Sequence, residues 1–225
     1  MIIITGASRG VGRFLFDSYI KGDKNVIGIF NKTIPEDQDN LHKIDLLDLS
    51  QIEIFYNNIC KNLDEIVLIN CAGITDAGFL HKSNNEDWQE VIKVNLFGTY
   101  NIVRQLLPKM RENNFGRIIN FSSVVAEKST PGVSAYATSK SALWGFAKSL
   151  AIENASKNIT VNNINLGYSE LGMIDKVPAD FLQKIIDQIP MGRLCKGEEI
   201  KNTVDFIINT PYLNGSNINL NGGLI

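Results

Sequence analysis

The sequence predicts an α/β protein, a doubly wound parallel sheet of about seven strands with helices on both faces. Three observations predict it. Short β-branched apolar runs alternate with longer segments of helical spacing along the whole chain. The stretches joining the strands are too long for tight hairpins, so neighbours must run parallel through right-handed crossovers. The first apolar run also opens directly onto a glycine turn and an amphipathic helix, the first unit of such a sheet. No linker, repeat, charge block or low-complexity tract divides residues 1–225, so one domain is expected.

The elements follow in order. Ile2 to Thr5 is read as the first strand and Val11 to Lys21 as the helix after it. Val26 to Phe30 is the second strand; polar Thr33 to Asn40 is a surface loop, and a short third strand ends at Asp45. Ser50 to Asn62 has helical spacing, Ile66 to Ile69 is the fourth strand, and Trp88 to Glu112 is a long helix. Within it Pro108 lacks an N–H and is expected to kink or end a turn near Leu107. Arg117 to Phe121, Ile159 to Ile164 and Asn217 to Leu220 complete the strands, and Ser134 to Ala155 and Glu198 to Asn209 the helices.

Composition excludes several classes. Of 225 residues 44% are hydrophobic, with 18 Gly and 6 Pro, which suits a globular chain rather than a disordered or fibrous one. Lys and Arg number 22 against 24 Asp and Glu, a net charge of -2, so there is no basic field for nucleic acid or anionic lipid. Cys60, Cys71 and Cys195 make no CxxC pair and no disulfide framework, which points to a reducing, cytoplasmic setting. The start of the chain lacks the basic and apolar regions of a signal sequence, and no run reaches the roughly 18 to 20 apolar residues of a membrane span. His42 and His81 have no spaced partners for a metal site or a triad, and Glu127, Glu153 and Glu170 form no paired-carboxylate pattern.

The turn Thr5-Gly6-Ala7-Ser8-Arg9-Gly10-Val11-Gly12 stands where backbone N–H groups and a helix N-terminus can receive a pyrophosphate. A tight turn with no ligand would read the same in isolation. The chain, however, resembles the classical short-chain dehydrogenase/reductase family over essentially its whole length. That family's TGxxxGxG turn is matched here, Asn70-Cys71-Ala72-Gly73 stands for its NNAG, and Asn221-Gly222-Gly223 matches its C-terminal ending. Asn95, Ser123, Tyr136 and Lys140 match its catalytic tetrad in order and spacing.

The resemblance implies a Rossmann-type domain that binds NAD(P) and interconverts a ketone and a secondary alcohol. Tyr136 would protonate the carbonyl oxygen, Ser123 would hold that oxygen, Lys140 would bind the nicotinamide ribose, and Asn95 would anchor a water in a proton relay. Tyr136 and Lys140 lie one helical turn apart, so the ammonium should lower a phenol whose free pKa is near ~10. Ser122 is adjacent, but strand alternation sends it to the other face. The cofactor contacts implied are Gly6, Ser8, Arg9, Gly10, Val11 and Gly12 in the turn, and Asn31 and Lys32 after strand two. Asp45 and Leu46 would meet the adenine, and Asn70, Ala72, Gly73 and Gly167 the remainder, beside Tyr136 and Lys140. Strand two ends Phe30-Asn31-Lys32 without an acid, and Arg9 with Lys32 can neutralise a 2′-phosphate. NADP(H) is therefore the expected cofactor and NAD(H) the alternative; no metal is required.

The chain departs from the family at Leu166 and Leu171, which replace the Pro and Thr of a PGxxxT loop. A cofactor anchor must then come from backbone groups or Ser169, or be absent. Cys71 replaces the second Asn of NNAG, removing an amide expected to stitch neighbouring strands. Residues from about 168 to 190 are expected to form the substrate lid, with Leu171, Met173, Ile174, Val177 and Phe181 as an apolar wall. Within the family the nearest likeness is to 3-oxoacyl-acyl-carrier-protein reductases, through Pro190 to Leu194 and Asn217 to Gly223. Arg111 and Lys157 offer some positive charge to an acidic carrier protein, but Asn113 and Asn114 dilute it. A reductase of a sugar, sugar nucleotide or other small carbonyl compound competes, as does a dinucleotide-binding regulator without turnover. A homotetramer or homodimer is implied, packed through the helices Leu96 to Glu112 and Ser134 to Ala155.

Overall fold

A computed structural model describes residues 1–35, 39–172 and 179–225, with the side chains of 179–181 also outside the description. The strands are β1 (Ile2–Thr5), β2 (Val26–Phe30), β3 (Leu41–Lys43), β4 (Val67–Asn70), β5 (Gly116–Ser123), β6 (Ile159–Leu166) and β7 (Asn217–Leu220). They form one parallel sheet in the order β3-β2-β1-β4-β5-β6-β7. The order reverses between β1 and β4, so the loops leaving those two strands diverge and open a crevice. The helices are α1 (Gly10–Lys21), α2 (Leu49–Phe55), α3 (Asn85–Ile92), α4 (Gly98–Glu112), α5 (Ser134–Asn154), α6 (Ala179–Ile186) and α7 (Gly197–Asn209).

Strand alternation divides the core in two. Ile3, Leu68, Ile118 and Val161 face one side and pack under Ile102, Leu106 and Met110 of α4 and Leu150 of α5. Ile4, Ile69, Ile119 and Ile164 face the other and pack under Leu15 and Phe16 of α1 and Val204 and Ile207 of α7. Side chains buried on both faces explain why β1, β2 and β4 read as apolar runs.

The expected elements are present with corrections at their ends. The long helix from Trp88 is α3 and α4 separated by a wider π-helical segment, Lys93–Phe97, and the helix read over Ser50 to Asn62 is α2 followed by a second such segment, Tyr56–Cys60. Pro108 does not end its helix: α4 runs through it to Glu112. Both Pro108 and Arg104, whose carbonyl loses its helical donor, are exposed, so water can serve that carbonyl while the buried stripe Ile102, Leu106 and Met110 holds the turn down. β3 stops at Lys43, and Asp45 instead opens a turn, its Oδ1 accepting from Leu47 N at 2.9 Å. β6 runs two residues beyond Ile164 because Leu166, unlike proline, can continue a strand; it registers with Ser123 and Leu220. Helix α6 inside the expected lid had no separate signal. In the polar loop Thr33 and Ile34 are exposed and Pro35 is buried, while 36–38 lie outside the described residues.

Candidate active site

The crevice above β1, β4, β5 and β6 is a cleft of about 500 Å³. At one end the glycine turn leads into α1. Gly6 (φ 71°) and Gly10 (φ 57°) adopt backbone that side chains disfavour. A Cβ on Gly6 would stand 2.8 Å from the Ala72 backbone, and one on Gly12 would overlap Gly6 O. Residue Arg9 at the start of α1 gives its turn no side-chain cap, and no acid lies in that turn. The first N–H groups of α1 are therefore available to an anion, and the space is kept by the missing Cβ atoms, so these residues fit a dinucleotide pyrophosphate.

Gly6, Ser8, Arg9, Gly10, Val11 and Gly12 line this end, with Asn31, Lys32 and Thr33 at its rim. Lys32 Nζ also lies 3.6 Å from Glu90 Oε1, an exposed pair that any 2′-phosphate would compete with. A smaller side pocket of about 90 Å³ is lined by Asp45, Leu46, Phe30 and Ile44, apolar walls with one carboxylate at the edge, as an adenine ring requires. Ala72, Gly73 and Gly167 line the cleft as expected.

Asn70 does not. Its side chain turns under the sheet and donates to Asn120 Oδ1 at 2.9 Å. Asn120 Nδ2 donates in turn to Asn163 Oδ1 at 3.0 Å, and Asn163 Nδ2 to Asn217 Oδ1 at 2.7 Å. Asn70, Asn120, Asn163 and Asn217 are register partners, so this amide ladder crosses β4 to β7. The stitch that Cys71 was expected to remove is supplied one residue earlier. Cys71 itself lines the cleft as a thiol that burial pushes up, hence neutral.

At the other end stand the tetrad residues. Tyr136 and Lys140 leave the same face of α5, and Ser123 ends β5 opposite them. Lys140 Nζ donates to Phe121 O at 2.7 Å and lies 5.6 Å from the centre of the Tyr136 ring. Gly73 is pinned between: a Cβ there would stand 3.2 Å from Asn95 Oδ1 and 3.5 Å from Lys140 Nζ. Asn95 sits behind the cleft in the π-helical segment. Its Oδ1 accepts from Ile74 N at 2.8 Å, and its Nδ2 donates to Ile74 O at 2.9 Å and to Ser139 Oγ at 3.0 Å. Its side chain is thus a clamp on the loop after Gly73, holding Ile74 by both its N–H and its carbonyl.

Burial pulls Lys140 down to about 8. Burial also raises the Tyr136 phenol, against which a hydrogen bond from Ser123 acts. The Tyr136 phenol therefore lies above its ordinary value rather than below it, because loss of hydration is the larger effect in a site this dry. Ser122 turns its side chain towards α5, its Oγ donating to the Lys140 carbonyl at 3.0 Å.

The loop after β6 is held by pairing with the segment before α7. Cys195 N donates to Tyr168 O at 2.9 Å, Glu170 N to Cys195 O at 3.0 Å, and Gly197 N to the Glu170 carboxylate at 3.0 Å. The Ser169 hydroxyl donates to Leu171 O at 3.2 Å, so its proton is spent inside the loop. Leu171 packs into the α1-side core, and Gly172 comes against Gly10, where a Cβ on either would lie 3.1–3.3 Å from the other's Cα. Met173, Ile174 and Val177 and the Phe181 side chain lie outside the described residues. Ile74, Val94, Thr130, Val133 and Ile185 also face the cleft. Their positions carry no local motif, and only the packing of separate loops brings them together.

A sequence profile described as short chain dehydrogenase matches residues 1–180. The chain is 35% identical to a 3-oxoacyl-[acyl-carrier-protein] reductase of Aquifex aeolicus, over 99% of this chain and 96% of that protein. It is 34% identical to an acetoacetyl-CoA reductase of Rhizobium meliloti, over 98% and 96%. Among solved structures, the ligand-free aldohexose dehydrogenase of Thermoplasma acidophilum superimposes with a TM-score of 0.90 at 28% identity, covering 99% of this chain and 92% of that one.

Proposed function

The chain belongs to the short-chain dehydrogenase family, an NAD(P)-dependent oxidoreductase acting on CH–OH groups, and we propose that it reduces a 3-oxoacyl thioester with NADPH. The observation that carries this reading is the wall beside Ser123 and Tyr136. Val124, Val125, Val133, Tyr168 and Ile185 face the cleft there, and among the described residues no acid or base other than Lys140 lies with them. Such a wall suits a neutral carbonyl flanked by an apolar chain and offers no partner to a free carboxylate or an amino group.

NADP(H) is supported by Arg9 and Lys32 at the rim and by the absence of an acid at the end of β2. The bound nicotinamide would supply the hydride. The chain's own task is to hold the carbonyl oxygen between Ser123 Oγ and Tyr136 Oη and to give it the phenolic proton. Burial keeps that proton on Tyr136 at neutral pH, the state that reduction needs. The Lys140 ammonium, steadied by Phe121 O, favours the phenolate left behind.

Aldohexose oxidation is the second reading, supported by the likeness to the Thermoplasma acidophilum enzyme. NADPH oxidation with acetoacetyl-CoA and acetoacetyl-acyl carrier protein, and NAD(P) reduction with a panel of aldohexoses, separates the two, with NADH and Tyr136→Phe as controls. Thioester turnover lost in Tyr136→Phe supports our proposal. Sugar turnover alone replaces it, and cofactor binding without any turnover leaves a regulator. Assembly as a homotetramer through α4 and α5, and residence in the reducing cytoplasm where the three free cysteines persist, belong to the same proposal. Among the described residues no helix is long and apolar enough to cross a membrane.

A further inference from the structure

Three consecutive residues of β5 hold the catalytic helix. Phe121 O binds Lys140 Nζ, Ser122 Oγ binds the Lys140 carbonyl, and Ser123 binds Tyr136. The middle contact depends on a hydroxyl that can rotate, and what stops it rotating is Trp144, one turn further along α5. Its Nε1 donates to Ser122 Oγ at 3.1 Å and to Asn165 Oδ1 at 3.0 Å. Asn165 Nδ2 then donates to Asn219 Oδ1 at 2.8 Å.

Indole nitrogen is a donor only. Because it points into Ser122 Oγ, the serine proton must go elsewhere, and the Lys140 carbonyl is where it goes. Because it also points at Asn165 Oδ1, the orientation of that buried amide is set, and its Nδ2 must face β7. One aromatic N–H thereby orders a polar chain from β7 through β6 to the peptide of Lys140, with every buried group satisfied. An apolar residue of similar size at 144 would fill the space and leave the Ser122 hydroxyl free to turn from Lys140.

We infer that Trp144 is a positioning residue: through Ser122 and Asn165 it sets the seating of α5 on β5, and with it the separation of Tyr136, Ser123 and Lys140. A slip of α5 would disturb the Phe121–Lys140 and Ser123–Tyr136 contacts together, and displacements near 1 Å in such sites cost about a hundredfold in rate. The inference does not depend on which carbonyl compound is the substrate.

The experiment compares Trp144→Phe, Asn165→Leu and the two combined with the unaltered protein. Tyr136 is titrated by its near-ultraviolet tyrosinate absorbance, with Tyr136→Phe in each background subtracted; Tm, NADPH binding and kcat are read alongside. In Trp144→Phe we expect kcat to fall about tenfold or more with NADPH binding unchanged, and the Tyr136 titration to move to higher pH as the phenolate loses the hydrogen bond from Ser123. The combined variant removes the acceptor that Trp144→Phe leaves buried and recovers Tm, but its kcat and titration stay shifted. Recovery of kcat together with Tm in the combined variant would show that Trp144 only packs, and so would a titration unmoved in every background. If Trp144→Phe does not fold, Ser122→Ala breaks the same chain one step nearer Lys140 and is held to the same two outcomes. The titration needs no substrate, so failure of the thioester assay and failure of this inference are separate results.

Discussion

Lys140 shows two demands meeting in one side chain. In the proposed reaction its ammonium acts on Tyr136 from a dry site, and that dryness lowers it to about 8. The proton on Tyr136 is kept by burial, so reduction needs Tyr136 neutral and Lys140 charged, a combination lost as pH rises. We expect kcat/KM for reduction to be level near neutrality and to fall as pH passes about 8, where the free enzyme's Lys140 deprotonates. A profile level through that range would remove Lys140 from this role. Tyr136→Phe should lower kcat by about 10²–10⁴-fold while NADPH titrations stay normal, since the phenol donates the proton but does not build the glycine turn. Gly12→Ala should act in the opposite way. Its Cβ would overlap the Gly6 carbonyl, so thermal melts should show a loss of about 1–3 kcal/mol, and NADPH titration should cease to saturate.

At the scale of elements, side chains decide where helices and strands begin. α1 starts without a side-chain cap, which suits a helix whose end faces a ligand. α7 starts with its N-terminal residues tied down: Glu199 accepts both Arg193 guanidinium nitrogens at 2.7 and 2.8 Å and the Lys196 N–H at 2.8 Å. These bonds, with Arg193 first among them, hold Glu199 at about 2 against an ordinary 4.5. A carboxyl lowered in the folded state contributes stability above its unfolded value that is lost as pH falls through its folded one. The contribution should therefore be whole above about 4.5 and vanish towards about 2. Melting curves of Glu199→Gln should lie below those of the unaltered protein at neutral pH and converge on them in that acid range. Curves that stay parallel would mean the ion pair adds nothing. Because this segment also pairs with Tyr168 and Glu170, loosening it should raise KM for substrate as well.

For the whole molecule, the sheet order puts the loops of β1 and β4 on opposite sides of the crevice, and the amide ladder joins β4 to β7 beneath it. The outer side of α4 leaves Phe97 50% and Tyr100 44% exposed, with Tyr100 edge-on to Phe146 of α5 at 6.5 Å. Large apolar groups left open beside the helices proposed to pair are what a second copy would cover. Tyr100→Arg should shift sedimentation to a smaller species with far-ultraviolet circular dichroism intact. An unchanged mass would place the assembly elsewhere or nowhere.

Alternation of apolar runs was enough to place β1, β2 and β7 at their observed residues and to call for parallel crossovers; for β1 and β2 the reason is that strands buried on both faces leave few polar interruptions. The glycine turn and the order Asn95, Ser123, Tyr136, Lys140 were legible for a similar reason: local spacing on one turn or one helix survives into the fold unchanged. What sequence alone determined is thus the sheet, the family, and which residues are proposed as cradle and tetrad. Tertiary structure alone decided what depends on partners far along the chain. The sequence does not show that Asn70 donates to Asn120 across the sheet, or that Asn95 is held by Ile74 and Ser139. Pro108 reads as a kink or the end of a turn until its exposure shows that water can replace the lost donor, and only the packed structure brings the Trp144 N–H to Ser122 and Asn165. A hydrogen-bonding group has a direction and a limited number of partners, and only the assembled sheet and helices determine which of them it meets.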